Sequence, residues 1–280
     1  MSSTINYAAL FNISGGTSDN LLNAIYGIGN TASVGIGNPL TALKTAETNQ
    51  TKDIATTARE PKVASDIAAF RRAVASAKTP TALLNNPIVL KVLLTANGLA
   101  DQLKFTALAQ KALLSDVKKP GSLAVKLADT RWKPVVTTFD FANKGLAVIQ
   151  DPKVLTTIAN AYAEITWRTS LDTTNPGLSN ALSFRSRAAT ITSADQVLGD
   201  PVLRDVVTTA LNIPLEIAFQ SLTTQEKVIA IRLDFKKLKD PHFVDTLTQQ
   251  YLLNKASQKQ NTSNGQSLDS LAISAAGLTV

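Results

Sequence analysis

Six of the eleven prolines directly follow Asn or Asp: Asn38-Pro39, Asn86-Pro87, Asp151-Pro152, Asn175-Pro176, Asp200-Pro201 and Asp240-Pro241. An Asx side chain ahead of a helix accepts a hydrogen bond from an amide that has no partner within the helix. Proline in the first helical position has a suitable φ and lacks only a donor that the helix does not use. Each pair therefore predicts a helix start. The segments that follow keep the spacing of an amphipathic helix: Val202, Leu203, Val206, Val207, Ala210 and Leu211 form one stripe, and Val154, Leu155, Ile158, Tyr162 and Ile165 form another. Phe105, Leu108, Ala109, Ala112 and Leu113, and then Phe243, Val244, Leu247 and Tyr251, repeat the pattern. The only β-like run is "VIAIRL" from Val228, and "TTQEK" before it predicts a helix capped by Thr223 or Thr224. The expected fold class is all-α.

Sliding the chain by 114 positions superposes "AFRRAVASAKTPTALLNNPIVLKVLLTA" on "SFRSRAATITSADQVLGDPVLRDVVTTA". Phe70 meets Phe184, Arg71 meets Arg185, Leu84 meets Leu198, Pro87 meets Pro201 and Val92 meets Val206. A few residues out of step, "VKKPGSLAVKL" answers "KLKDPHFVDTL", pairing Pro120 with Pro241. The pattern predicts an internal duplication of a several-helix unit, folded into one compact multi-helix domain. Its expected layout is a polar, partly disordered N-terminal arm over 1–38, an all-helical body over 39–255 and a flexible C-terminal tail over 256–280. Within the body, copy one spans about 61–139, a bridging segment 140–174 and copy two about 175–253. Two copies are too few for an open solenoid, so their apolar faces are expected to bury against each other.

Only 5% of the residues are aromatic and one is Met, so the core has to be built from Ala, Leu, Val and Ile in close helix packing. Cysteine is absent, which excludes disulfides, thiolate metal sites and a thiol nucleophile. The opening "MSSTINYAALFNISGG" has neither a basic region nor a sustained apolar run, so a cleaved secretory signal is not expected. No stretch approaches the roughly 18 apolar residues of a membrane-spanning helix. The net charge of +7 is dispersed. Arg71-Arg72, Lys118-Lys119, Arg185 with Arg187, and Lys236-Lys237 with Lys239 fall near predicted helix ends, where cations offset the helix dipole. Nucleic-acid binding is not expected. "YGIGNTASVGIGNPL" over Tyr26–Leu40 lacks the preceding strand and the Lys-Ser/Thr of a phosphate loop, and reads as a connector that ends in a helix start.

His242 is the only histidine. With Asp245 three residues on, a base held by a carboxylate is one reading, but no nucleophile is tied to it by spacing, so it reads as a surface residue in a capped turn. Asp195, Asp200 and Asp205, or Asp234, Asp240 and Asp245, are the densest carboxylate sets for a glycosidase-like pair. The caps account for Asp200 and Asp240. No calcium-loop spacing is present. Trp132 in "TRWK" and Trp167 in "TWRT" read as partly buried indoles with snorkelling cationic neighbours. No catalytic, cofactor-binding or metal residue is assigned, and no cofactor is expected.

"LAQKALLSDVKKPGSLAVKLADTRWKPVVTTFDF" (108–141), "ITSADQVLGDPVLRDVVTTALNIP" (191–214) and "VIAIRLDFKKLKDP" (228–241) resemble the blocks K-L-A-D-x-R-W/Y, I-T-S-A-x-Q-I/V-L-x-D and R-L-D-x-x-x-L-x-D-P. These are blocks of an alphaproteobacterial family, domain of unknown function 1217. Genes of that family commonly sit among flagellar genes, and it has no assigned catalytic residues. The resemblance therefore implies a non-enzymatic, flagellum-associated structural or assembly protein. Its partners would be flagellar proteins or itself, and it would be exported without a cleaved signal. The alternatives are a cytosolic adaptor or chaperone-like regulator of flagellar assembly and, as a third reading, a hydrolase using carboxylates alone, with Asp234 and Asp245 as its acids. Lack of cysteine and a polar N-terminus agree with export through the flagellar channel. Neither end sustains the heptads of rod, hook or filament proteins.

Overall fold

Five of the six Asx-Pro steps cap a helix. The backbone amide of Leu40 donates to Asn38 (2.9 Å), that of Ile88 to Asn86 (2.9 Å), Lys153 to Asp151 (2.7 Å), Val202 to Asp200 (2.9 Å) and His242 to Asp240 (3.0 Å). The computed structural model describes the backbone of residues 38–276 and the side chains of residues 38–258. The expected N-terminal arm and the glycine-containing connector lie almost wholly outside the described residues, among which there is no strand.

The first half contains α1 (Pro39–Arg59), α2 (Pro61–Ser76), α3 (Pro80–Leu84) and α4 (Pro87–Ala96). A 3-10 segment (Ala100–Phe105) then leads into α5 (Thr106–Leu113), α6 (Leu123–Lys126), α7 (Trp132–Phe139) and α8 (Phe141–Lys144). The long α9 (Pro152–Leu171) follows. The second half has α10 (Leu178–Arg187), a 3-10 turn (Ala188–Thr190), α11 (Ala194–Gly199), α12 (Pro201–Ala210) and a 3-10 segment (Leu215–Phe219). It ends with α13 (Leu222–Arg232), a 3-10 segment (Phe235–Lys239) and α14 (Pro241–Ala276).

Two local readings are corrected. Asn175-Pro176 starts no helix: it lies in the turn after α9, where the Asn175 amide donates to Leu171 O (3.0 Å), and α10 begins at Leu178 with Gly177 as its N-cap. The reason is Asp172, whose carboxylate reaches forward to the Ser179 amide (2.9 Å) and serves α10's first turn from the far side of the proline. The second concerns α13, which is capped by Ser221 rather than by Thr223 or Thr224. The Ser221 hydroxyl accepts from the Thr224 amide (3.3 Å), because Thr224 already lies inside the first turn. Arg71-Arg72 also falls within α2, short of its end.

The apolar faces of the two halves do not bury against each other. They form two cores, one around Val89, Val92, Leu93 and Leu94 of α4, the other around Leu203, Val206 and Val207 of α12. Each is closed by a long helix: α9 packs on α4, and α14 packs on α12. With its face already covered, neither half needs the other as a lid. The two cores are joined by helices that run through both. On α9, Ile158, Tyr162 and Ala163 belong to the first core and Trp167 to the second. On α1, Leu43 and Ala46 belong to the second core, while Ile54 touches both. The helix that begins at Pro241 also runs on without a break to Ala276, past Lys255, where the sequence reading ends the folded body.

Elements recur at the 114-residue interval. Asn86 and Asp200 cap α4 and α12, and Thr79 and Ser193 cap α3 and α11. Past α4 and α12, Gly98 (φ 71°) and Asn212 (φ 48°) are both left-handed, a conformation that Gly and Asn reach most readily. It lets the Leu99 and Ile213 amides donate back to Leu94 O and Thr208 O, each at 2.8 Å.

The halves also touch where the loop before α7 meets the end of α11. The Thr130 amide donates to Gly199 O (3.0 Å). A Cβ at Gly199 would lie 2.4 Å from Thr130 Cγ2 and 2.8 Å from Ala128 O. Gly199→Ala is expected to cost about 1–3 kcal/mol in urea unfolding through overpacking. Thr130→Ala should recover only part of this, because the Ala128 carbonyl remains in the way. An unchanged unfolding midpoint would show that the loop lifts away freely.

Candidate functional site

The acids and the histidine singled out in the sequence do not converge. His242 is exposed on the first turn of α14, while Asp245 turns to Arg185, whose Nε also donates to Glu47 (2.7 Å). The His242–Asp245 pair is therefore not formed. Asp200 is buried as the cap of α12, where it receives Arg187 Nη1 (2.6 Å). Asp234 accepts from the Lys236 amide (3.0 Å) and Asp240 caps α14. Asp195 is exposed on α11 and faces Glu226 of α13. A hydrogen bond between the two acids raises the pKa of Glu226. Among the described residues no group of three or more His, Asp or Glu is placed to hold a metal ion.

Trp132 and Trp167 are buried, each as a core side chain. Their arginine neighbours do not snorkel. Arg131 is buried and forms paired hydrogen bonds to Asp129 (2.9 and 2.6 Å) and to Asp101 (3.0 and 2.9 Å), with a further bond to the Gly98 carbonyl. Burial opposes its charge, but the two carboxylates outweigh that and hold its pKa above the ordinary arginine value. The clamp ties the end of α4 to the start of α7. Arg168 is likewise buried, against Glu164 and Ser183.

Each closing helix carries a tyrosine in the same place, eleven positions into the helix and counted from its proline: Tyr162 on α9 and Tyr251 on α14. Both are buried, and each hydroxyl donates to an acid of the half that it closes, Tyr162 to Asp66 and Tyr251 to Asp205, both at 2.7 Å. A lysine completes each set. Lys91 pairs with Asp66, and Lys255 with Asp205 (2.7 Å). Asn180 Nδ2 adds a third donor to Asp205 (2.9 Å). Burial works against ionisation of Asp205, yet Lys255, Tyr251 and Asn180 outweigh it and hold its carboxyl below the usual range. Burial pushes both tyrosines up. These sets fasten helices within the fold.

A group of exposed apolar side chains stands apart from these sets. Where the 3-10 segment after α12 turns into α13, Leu215 is 81% exposed, Phe219 89% and Leu222 60%. Three large apolar side chains this exposed within eight residues mark an interaction site more often than a neutral surface. Beneath this elbow lies a cavity with a largely apolar lining that includes Leu198, Leu215, Ile217 and Ile229. Sequence reasoning missed it, although a signal was present. The stretch from the 3-10 segment to the next long helix is residues 106–151 in the first half and only 220–240 in the second, so the second half has less chain to cover its apolar residues.

A protein family described as protein of unknown function (DUF1217) matches residues 96–244, more than half of the chain. The chain belongs to this family. The DUF1217 span contains the Arg131 clamp, the Thr130–Gly199 contact, Asp205 and the whole α12–α13 elbow. By fold, the chain is similar to the X-ray crystal structure of protein AGR_C_984 from Agrobacterium tumefaciens. The TM-score is 0.68 and the identity 23%, over 82% of this chain and 98% of that one. No curated protein matches.

Asp205 gives a pH prediction. Its folded-state pKa is lowered, so its contribution to stability is present above the unfolded value of about 3.9 and is lost as pH falls through the folded value. Asp205→Asn should cost about 1–3 kcal/mol at pH 7 and flatten the fall in stability between roughly pH 4 and pH 2. Urea midpoints measured across that range check both effects.

Proposed function

We propose that this protein is a non-enzymatic structural or assembly component of the bacterial flagellum, working by protein–protein contact at the α12–α13 elbow. The observation that carries the contact role is the exposure of Leu215, Phe219 and Leu222 over an apolar cavity. The tyrosine–acid–lysine sets and the Arg131 clamp, in contrast, are hydrogen-bonded within the fold. The flagellar assignment rests on the resemblance of the three sequence blocks to a family whose genes accompany flagellar genes. The absence of cysteine agrees with it. We also infer that the two halves arose by duplication of a several-helix unit, supported by the recurrence of caps and left-handed residues at one interval.

A strain lacking the protein should lose assembled flagella, and the wild-type protein should be recovered with basal bodies or shed filaments. A Leu215→Ser, Phe219→Ser double variant should melt as the wild type does yet fail to restore flagella. Strictly cytoplasmic recovery would replace the structural role with that of an assembly adaptor. Full flagella in the deletion strain would end both readings.

A further inference from the structure

The cavity under the elbow specifies what the partner must carry. Its volume is about 60 Å³, well below the range for small-molecule sites, so it suits an anchoring side chain better than a cofactor. Three lining residues have polar side chains other than backbone. Thr208 donates its hydroxyl to Arg204 O (2.7 Å), and Gln225 donates its amide to Gln220 O (2.8 Å). The third, Arg204, is the lone formal charge in the lining; it is exposed, and its guanidinium has no partner among the described residues. An apolar seat with one exposed cation at its edge complements an apolar residue with a carboxylate close by.

The first half buries the positions that correspond to this edge. At the 114-residue interval Arg204 and Thr208 correspond to Leu90 and Leu94, both buried in a core with Trp132, Val135, Val136 and Phe139 of α7. Those four residues stand at i, i+3, i+4 and i+7, the apolar stripe of a short helix. The second half has no counterpart of α7 between α13 and α14. It also has an arginine where the covered half has a leucine.

We propose that the α12–α13 elbow binds an acidic amphipathic helix of a partner protein. One aliphatic or aromatic residue of that helix fills the cavity, and a carboxylate within a turn of it pairs with Arg204. This rests on the contact role proposed above and names the chemistry of the partner. The helix lies across Leu215, Phe219 and Leu222.

The test uses the full-length protein and a synthetic helical peptide with Phe, Leu, Leu and Phe at i, i+3, i+4 and i+7, made with Glu, Gln or Lys beside the first anchor. Binding is read by fluorescence anisotropy. The Glu peptide should bind about two- to fivefold more tightly than the Gln peptide, and the Lys peptide more weakly than either. Arg204→Gln should abolish the Glu-over-Gln difference while leaving Gln-peptide affinity unchanged. Phe219→Ser should weaken all three, with thermal melting unchanged in both variants. Equal affinity for Glu and Gln peptides, or no binding to the folded protein, would overturn the proposal. So would a dimer that Phe219→Ser dissolves, which would give the site to a second copy. Binding to anionic phospholipid vesicles that is lost in the same variants would give it to a membrane and overturn it equally. Peptide binding that holds while Phe219→Ser cells assemble normal flagella would instead sink the flagellar reading alone.

Discussion

The fold depends on a buried tyrosine hydroxyl set on a partly buried acid. α9 and α14 close their halves with an apolar stripe, Ile158, Tyr162 and Ala163 in one and Leu247, Tyr251 and Leu252 in the other. An apolar stripe alone would allow the helix to slide or rotate on a surface of Leu and Val. A buried phenol is costly without a hydrogen-bond partner, so Tyr162 on Asp66 and Tyr251 on Asp205 restrict each helix to one register. The lysine beside each acid then keeps the carboxylate charged in a place where burial alone would favour its neutral form.

That fastening explains why there are two cores and not one. Because α9 finishes the first half within its first three turns, its last turns are free to begin the second, and Trp167 enters the other core. α1 carries the same linkage in reverse, with Leu43 in the second core and Ile54 reaching the first. The remaining contact at Thr130 and Gly199 is a backbone approach that tolerates no side chain on the glycine. The clamp of Arg131 on Asp129 and Asp101 holds the loop that makes this approach.

The halves differ where the chain has been given unequal lengths to work with. Residues 106–151 build α5 to α8 over the first core, and Trp132, Val136 and Phe139 are buried there, while Val125 stays exposed. Residues 220–240 are too few for such a cover, and Leu215, Phe219 and Leu222 are left in solvent. The asymmetry sets apart the surface of the α12–α13 elbow.

Helix starts were readable from single residues, since a cap acts on amides two or three positions away and needs nothing distant. That is why Asn38, Asn86, Asp151, Asp200 and Asp240 could be read directly, together with the all-α class and the stripes of α9 and α12. Asn175 failed for the same reason in reverse: a neighbouring loop acid, Asp172, already served the amides that it would have capped. The sequence by itself determined where helices begin, which faces are apolar and that the pattern returns after 114 residues, because all of these depend on local hydrogen bonding and periodicity. Only the tertiary structure decided that the halves keep separate cores, that Asp205 and Asp66 receive tyrosines 46 and 96 residues away, that Asp245 serves Arg185 instead of His242, and that the elbow stands uncovered. Those outcomes depend on which surfaces meet, and distant side chains acquire partners only when the helices that carry them have packed.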